Sequence, residues 1–219
     1  MPRLSPTNRA RILIMVATGC LALILFMNYQ ARTERKALLD ATAKCANVTL
    51  PPATAIAACS AIIAKAPKAG WAYAARGLAY SSVLQQDLAI ADLDKAISID
   101  PNFAWAYAVR AGTYGSKGDR KREIEDYTKA IELNPADAQS YSNRAVAYLQ
   151  NGESELAIAD ASRAIEINPQ LVVAYVNRAA AHKKSGDDAR AIEDYRSALA
   201  LKPGDQTSTD GLKRLGVGG

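Results

Sequence analysis

The sequence predicts an all-α chain: a right-handed α-solenoid of about four helix hairpins. A degenerate repeat stands in front, a short capping helix behind, and a single transmembrane helix at the N-terminus. Three observations predict it. Prolines recur at Pro67, Pro101, Pro135, Pro169 and Pro203, always 34 residues apart. Hydrophobic residues make up 49% of the 219 positions, yet the chain has only 2 Phe, 2 Trp and 10 Tyr. So alanine-rich, close-packed helices are favoured over a bulky β-core. Residues 12–31 carry no charge at all. With 3 Cys and 1 His, a disulfide-dense scaffold and His-based zinc sites are excluded.

The N-terminal region comes first. Arg3, Arg9, Arg11, Arg32, Arg35 and Lys36 stand against Glu34, which accounts for the whole net charge of +5. Beyond Lys36 the charges balance, so the basic pI of 9.1 belongs to the tail and not to the domain. Residues 1–11 read as a basic tail. Residues 12–31 are apolar on every face and, at about 1.5 Å per residue, long enough to cross a bilayer's hydrocarbon core. An uncleaved single-pass anchor is expected, with cleavage as a signal peptide the rival. The positive-inside rule does not settle the orientation, since cations flank both ends. In a bacterial cell the expected place is the inner membrane, with the following domain periplasmic.

Residues 32–66 form a juxtamembrane segment and a worn repeat. Its second half, Ala55 to Ile63, keeps the small-residue pattern of the later copies, whereas its first half lacks their tyrosine and arginine. Cys45 and Cys59 are candidates for a disulfide pinning this unit, with two buried thiols as the alternative.

Residues 67–203 hold the four regular copies. Six positions after each proline stand Tyr73, Tyr107, Tyr141 and Tyr175; nine after, Arg76, Arg110, Arg144 and Arg178. Small residues follow at ten, and Tyr80, Tyr114, Tyr148 and His182 at thirteen. The offsets six, ten and thirteen mark one face of a first helix; twenty-two, twenty-six and twenty-nine mark one face of a second. Gly118, Gly152 and Gly186 end first helices, where a left-handed residue is wanted. Leu84 replaces that glycine in the first copy, and Glu123 replaces a small residue in the second; either departure is expected to loosen local packing. An antiparallel helix pair of this kind cannot bury its faces alone, so the units must stack. Residues 204–219 supply a capping helix and tail.

These columns resemble the tetratricopeptide repeat, whose order of aromatic, small, aromatic, alanine and proline in 34 residues they follow across roughly Gly70–Pro203. The resemblance implies a concave groove lined by the first helices. Candidate partner-binding residues there are Trp71, Trp105, Leu78, Gln139, Ser142, Asn143, Val146, Leu149, Val173 and Asn177. The family's basic clamp for acidic chaperone tails has no counterpart beyond Asn143 and Asn177.

Arg76, Arg110, Arg144 and Arg178 recur with Asp92, Asp126, Asp160 and Asp194, twenty-five after each proline. Four structural ion pairs are expected, across hairpins or between neighbours. Repetition in every copy argues for architecture over ligand binding. His182 sits in a tyrosine column and reads as a packed residue. Phosphate loops, nucleophile elbows and Cys-x-x-Cys motifs are absent from the sequence, so no catalytic residue, cofactor or metal is implied. The basic run Arg120-Lys121-Arg122 leads straight into Glu123, Glu125 and Asp126, a solvated turn and no nucleic-acid patch. The expected function is a membrane-anchored scaffold that grips a protein or peptide partner in its groove, with no small-molecule substrate. A permanently packed structural subunit of a membrane or envelope assembly is the alternative.

Overall fold

The computed structural model describes residues 27, 29–30, 32–47 and 49–217. It is an all-helical solenoid; no strand occurs among the described residues. Helix α1 covers residues 32–45. Then follow α2 (Pro52–Lys65), α3 (Gly70–Ser82), α4 (Gln86–Ile99), α5 (Ala104–Ser116) and α6 (Arg120–Leu133). The chain continues through α7 (Ala138–Asn151), α8 (Ser154–Ile167), α9 (Val172–Lys184) and α10 (Asp188–Leu201) to the cap, α11 (Gln206–Arg214).

The small-residue columns are what lets each hairpin close. Gly77, Ala89 and Ala96 in the first copy, and Ala145, Ala157 and Ala164 in the third, are buried between the two helices. At Gly77 a Cβ would stand 2.8 Å from Cγ of Leu93, so this crossing admits nothing larger. Successive first helices touch one another, α3 to α5, α5 to α7 and α7 to α9, whereas successive second helices do not. The first helices therefore line the concave side. The last hairpin buries its open face under α11, through Leu212, Tyr195 and Ala191.

Helix ends follow their local chemistry. Gly118, Gly152 and Gly186 take φ of 78°, 90° and 85°. Leu84 takes φ of 60° and is 75% exposed, so the turn keeps its shape and leucine bears the strain. Asp119, Asp187 and Asp205 cap α6, α10 and α11 by accepting from the backbone N–H three residues on.

The N-terminal expectation is corrected. Apart from Met27, Tyr29 and Gln30, the span expected over residues 12–31 lies outside the described residues. Among the described residues no helix is long and apolar enough to cross a membrane. The helix that is described, α1, carries Arg32, Glu34, Arg35, Lys36, Asp40 and Lys44, charges a hydrocarbon core rejects. The single-pass localisation, with its inner-membrane anchor and periplasmic domain, is overturned.

Candidate functional site

Each arginine of the repeat column reaches two second helices. Within its own hairpin it forms a two-pronged pair with aspartate. Arg144 Nε and Nη2 donate to Asp160 at 2.7 and 2.9 Å; Arg76 meets Asp92 at 2.7 and 2.8 Å. Arg110 with Asp126 and Arg178 with Asp194 repeat the geometry. The third prong, Nη1, donates to the preceding second helix: to Ser60, Asp94, Thr128 and Ser162 in turn. Two tyrosine rings flank each guanidinium in the first three copies, Tyr141 and Tyr148 at 5.7 and 5.6 Å for Arg144. Arg178 keeps only Tyr175, because His182 fills the second place. The clasp thus joins hairpins as well as closing them, and it leaves the arginines engaged. The hydrogen bond to Asp126, working against burial, holds the Arg110 guanidinium above its ordinary pKa, and the Asp94 bond adds to it.

Glu123, the departure in the second copy, is buried and pairs with Arg120. Gly115 opposite supplies the room, since a Cβ there would lie 2.6 Å from the Glu123 carboxylate. Burial pushes the Glu123 carboxyl above the usual carboxylate range, with Arg120 pulling the other way. Burial, with the Glu123 charge nearby, pushes the Tyr127 phenol up to about 12.

Open surface collects at the N-terminal end of the concave side. A cleft of about 380 Å³ lies between the run that links α1 to α2 and the inner stripe of α3. Trp71, Ala75, Leu78 and Ser82 form that stripe, spaced four, three and four residues apart, and Trp105 of α5 closes one side. Cys45, Ala46, Asn47, Leu50 and Pro52 form the opposing wall. Both tryptophans are 40% exposed, and the ring of Trp105 leans on Phe103 at 5.8 Å between centroids. Among the described residues no charged one lines this cleft. Through Leu78 and Trp105 it continues into a second hollow that includes Gln139 and Asn143, where Gln139 Nε2 donates to Asn143 Oδ1 at 2.8 Å.

The other groove candidates divide. Val173 is exposed, Val146 is half-buried, and Leu149 is half-buried against the third hairpin's core. Ser142 is fully buried and belongs to the seam between α7 and α9, where Asn177 Nδ2 donates to its Oγ at 2.9 Å. Both are thereby spent on stacking. The wall formed by Cys45, Ala46, Asn47, Leu50 and Pro52 carries no repeat signal, and the sequence pattern does not single it out. Cys45 and Cys59 are bonded in the structure, with Cα atoms 4.8 Å apart. His182 is buried, its Nε2 4.0 Å from Asp194. Among the described residues no cluster of His, Cys, Asp and Glu is arranged to hold a metal.

A family model described as the ETO1 C-terminal domain matches residues 42–216. No curated protein matches the chain. Among solved structures, a crystal structure of MamA is similar over 69% of this chain and 88% of its own, at 24% identity and a TM-score of 0.63. The TPR domain of Arabidopsis OM64 is 30% identical over 51% of this chain and 93% of its own, with a TM-score of 0.50. The first TPR of Spaghetti (RPAP3), bound to the HSP90 peptide SRMEEVD, is 26% identical over 52% of this chain and 90% of its own, with a TM-score of 0.51.

Proposed function

The chain belongs to the ETO1 C-terminal domain family, and from that premise we propose that it is a tetratricopeptide-type interaction scaffold that docks an uncharged, apolar segment of a partner protein. The docking place is the cleft between the α1–α2 connection and α3. The observation that carries this reading is the half-exposed pair Trp71 and Trp105 in a cleft with no charged lining residue among the described ones. Tryptophan in a desolvated pocket is the commonest kind of interface anchor, and burying an unpaired charge there is unfavourable. The stripe Trp71–Ala75–Leu78–Ser82 is about 16 Å long at helical rise, which suits three turns of helix or a short extended segment.

The partner differs in kind from the acidic peptide held by the Spaghetti domain. Helices α3, α5 and α7 contain no lysine, and their one arginine each is engaged by aspartate. An acidic tail would meet no free cation on these three helices. The amides of Gln139 and Asn143 are placed to take main-chain hydrogen bonds beyond the apolar anchor.

Titrating the full chain by tryptophan fluorescence tests this. A capped, uncharged peptide bearing adjacent leucine and phenylalanine is expected to bind at least about tenfold tighter than SRMEEVD. The Trp71→Ala/Trp105→Ala variant, read by calorimetry, should lose about 2 kcal/mol or more of that binding. Tighter binding of SRMEEVD, or indifference to the tryptophans, would overturn the assignment.

A further inference from the structure

Helix α1 is the least anchored element of the solenoid. Residues 32–40 are all exposed, Ala41 and Thr42 are half-buried, and Cys45 alone in this helix is buried. The positions that carry the arginine and aspartate of the clasp in later copies are Thr42 and Ala58 here. Among the described residues α1 is joined to α2 by the contact of Ala41 with the cluster around Cys59 and by the Cys45–Cys59 bond itself. Cys45 is also the first residue of the cleft wall, which continues through Ala46, Asn47 and Leu50 to Pro52. Whatever holds Cys45 in place therefore holds that wall opposite Trp71.

We propose that the Cys45–Cys59 bond is a redox switch on the docking cleft, a regulation that rests on this cleft being the docking site. With the bond formed, the wall stands against α3 and the cleft is a slot. A dithiol reductant opens it by exchange: one thiolate attacks a sulfur, the S–S bond breaks, and the second thiol resolves the mixed disulfide. Two electrons and two protons pass to the cysteines, leaving two thiols and an oxidised dithiol. The wall and α1 then lift away, and the slot becomes a shallow surface. Both sulfurs lie in buried residues, so exchange requires α1 to open first. A bound segment bridging wall and α3 opposes that opening. By linkage, occupant and bond protect each other.

The test uses the full chain, oxidised or treated with dithiothreitol, with prodan, an uncharged naphthalene dye, as cleft probe. Reduction is expected to weaken dye binding about tenfold or more and to speed tryptic cleavage after Lys44 about tenfold. Helices α3 to α11 should stay protected throughout. The Cys45→Ser/Cys59→Ser variant should match the reduced chain and ignore dithiothreitol. Equal cleavage and equal dye binding in both states would overturn the switch, as would loss of protection across the whole solenoid. An oxidised chain that binds no dye would instead remove the docking cleft, while cleavage after Lys44 still reports whether the bond holds the wall.

Discussion

The worn first hairpin and the regular hairpins solve one problem with different chemistry. In the regular copies, arginine on the first helix grips aspartate on the second, and the pair is nearly buried: side-chain exposure is 13% for Arg144 and 11% for Asp160. In the α1–α2 hairpin those positions hold Thr42 and Ala58, and the chain is tied three residues and one residue later, at Cys45 and Cys59. The regular clasp has a third prong that reaches the preceding hairpin, so it propagates order along the solenoid. The disulfide has none and ties only its own hairpin. Ion-pair clasps make an array whose first member reaches Ser60 of α2, while the covalent clasp fastens only α1 to α2. The cleft lined by Trp71 and Trp105 lies at the join between the two.

The largest effect should come from breaking the array. Removing Arg144 leaves Asp160 buried without its partner and strips Thr128 of its donor, a loss of about 3–5 kcal/mol. Urea unfolding of Arg144→Ala against the parent measures it, and a variant melting within a degree of the parent would refute the clasp's role. Arg144→Lys should recover little, because an ammonium cannot supply three donors in one plane.

Breaking the covalent clasp should cost somewhat less and stay local. Replacing Cys45 and Cys59 by serine releases a closure of about 15 residues, worth about 3 kcal/mol in the chain-entropy model. In a stacked array each unit answers mainly to its neighbours, so hydrogen exchange should quicken across α1 and α2 while α5 to α10 keep their protection. Exchange that quickens evenly along the chain would show that the covalent clasp orders the whole array.

How much of this contrast is legible in the sequence depends on whether a residue repeats. The 34-residue interval locates each hairpin, because a proline in every copy, and a glycine in three of the four, stands where helices end. The arginine and aspartate columns are legible because four copies keep the same chemistry. The receiving column, Ser60, Asp94, Thr128 and Ser162, is not, since any short acceptor satisfies the third prong. Ser142 reads as groove-facing by its offset, yet the packing of α9 over α7 buries it. Trp71 and Trp105 are legible as candidates. Their cleft is not, because its other wall is an irregular run where no period applies.

A smaller effect tests the turns. Leu84 holds the left-handed conformation that glycine holds in the next three copies, and most of its side chain is in solvent. The strain for an L-residue there is about 1–2 kcal/mol, partly offset by glycine's greater freedom when unfolded. Leu84→Gly should therefore stabilise the first regular hairpin by about 1 kcal/mol. Destabilisation would mean that Leu84 makes contacts worth more than its backbone costs.

The subtlest effect is a slope, and it separates the second regular hairpin from its fellows. Where Ala89, Ala157 and Ala191 fill the column, Glu123 places a buried carboxyl whose pKa burial raises. An acid whose folded pKa exceeds its unfolded one binds its proton more tightly when folded. That adds stability below the unfolded value, near 4.5, which is lost as pH rises through the folded one. Glutamine keeps the volume and cannot ionise. The stability of Glu123→Gln relative to the parent should therefore rise from pH 4 toward neutrality and then level off, as read by urea midpoints across that range. Above the folded pKa the ionised carboxylate has lost that protonation gain and has Arg120 as its ion-pair partner. A flat difference would mean that the Arg120 pair cancels the burial. A difference that falls with pH would mean that the pair outweighs it, and that Glu123 belongs with the clasps after all.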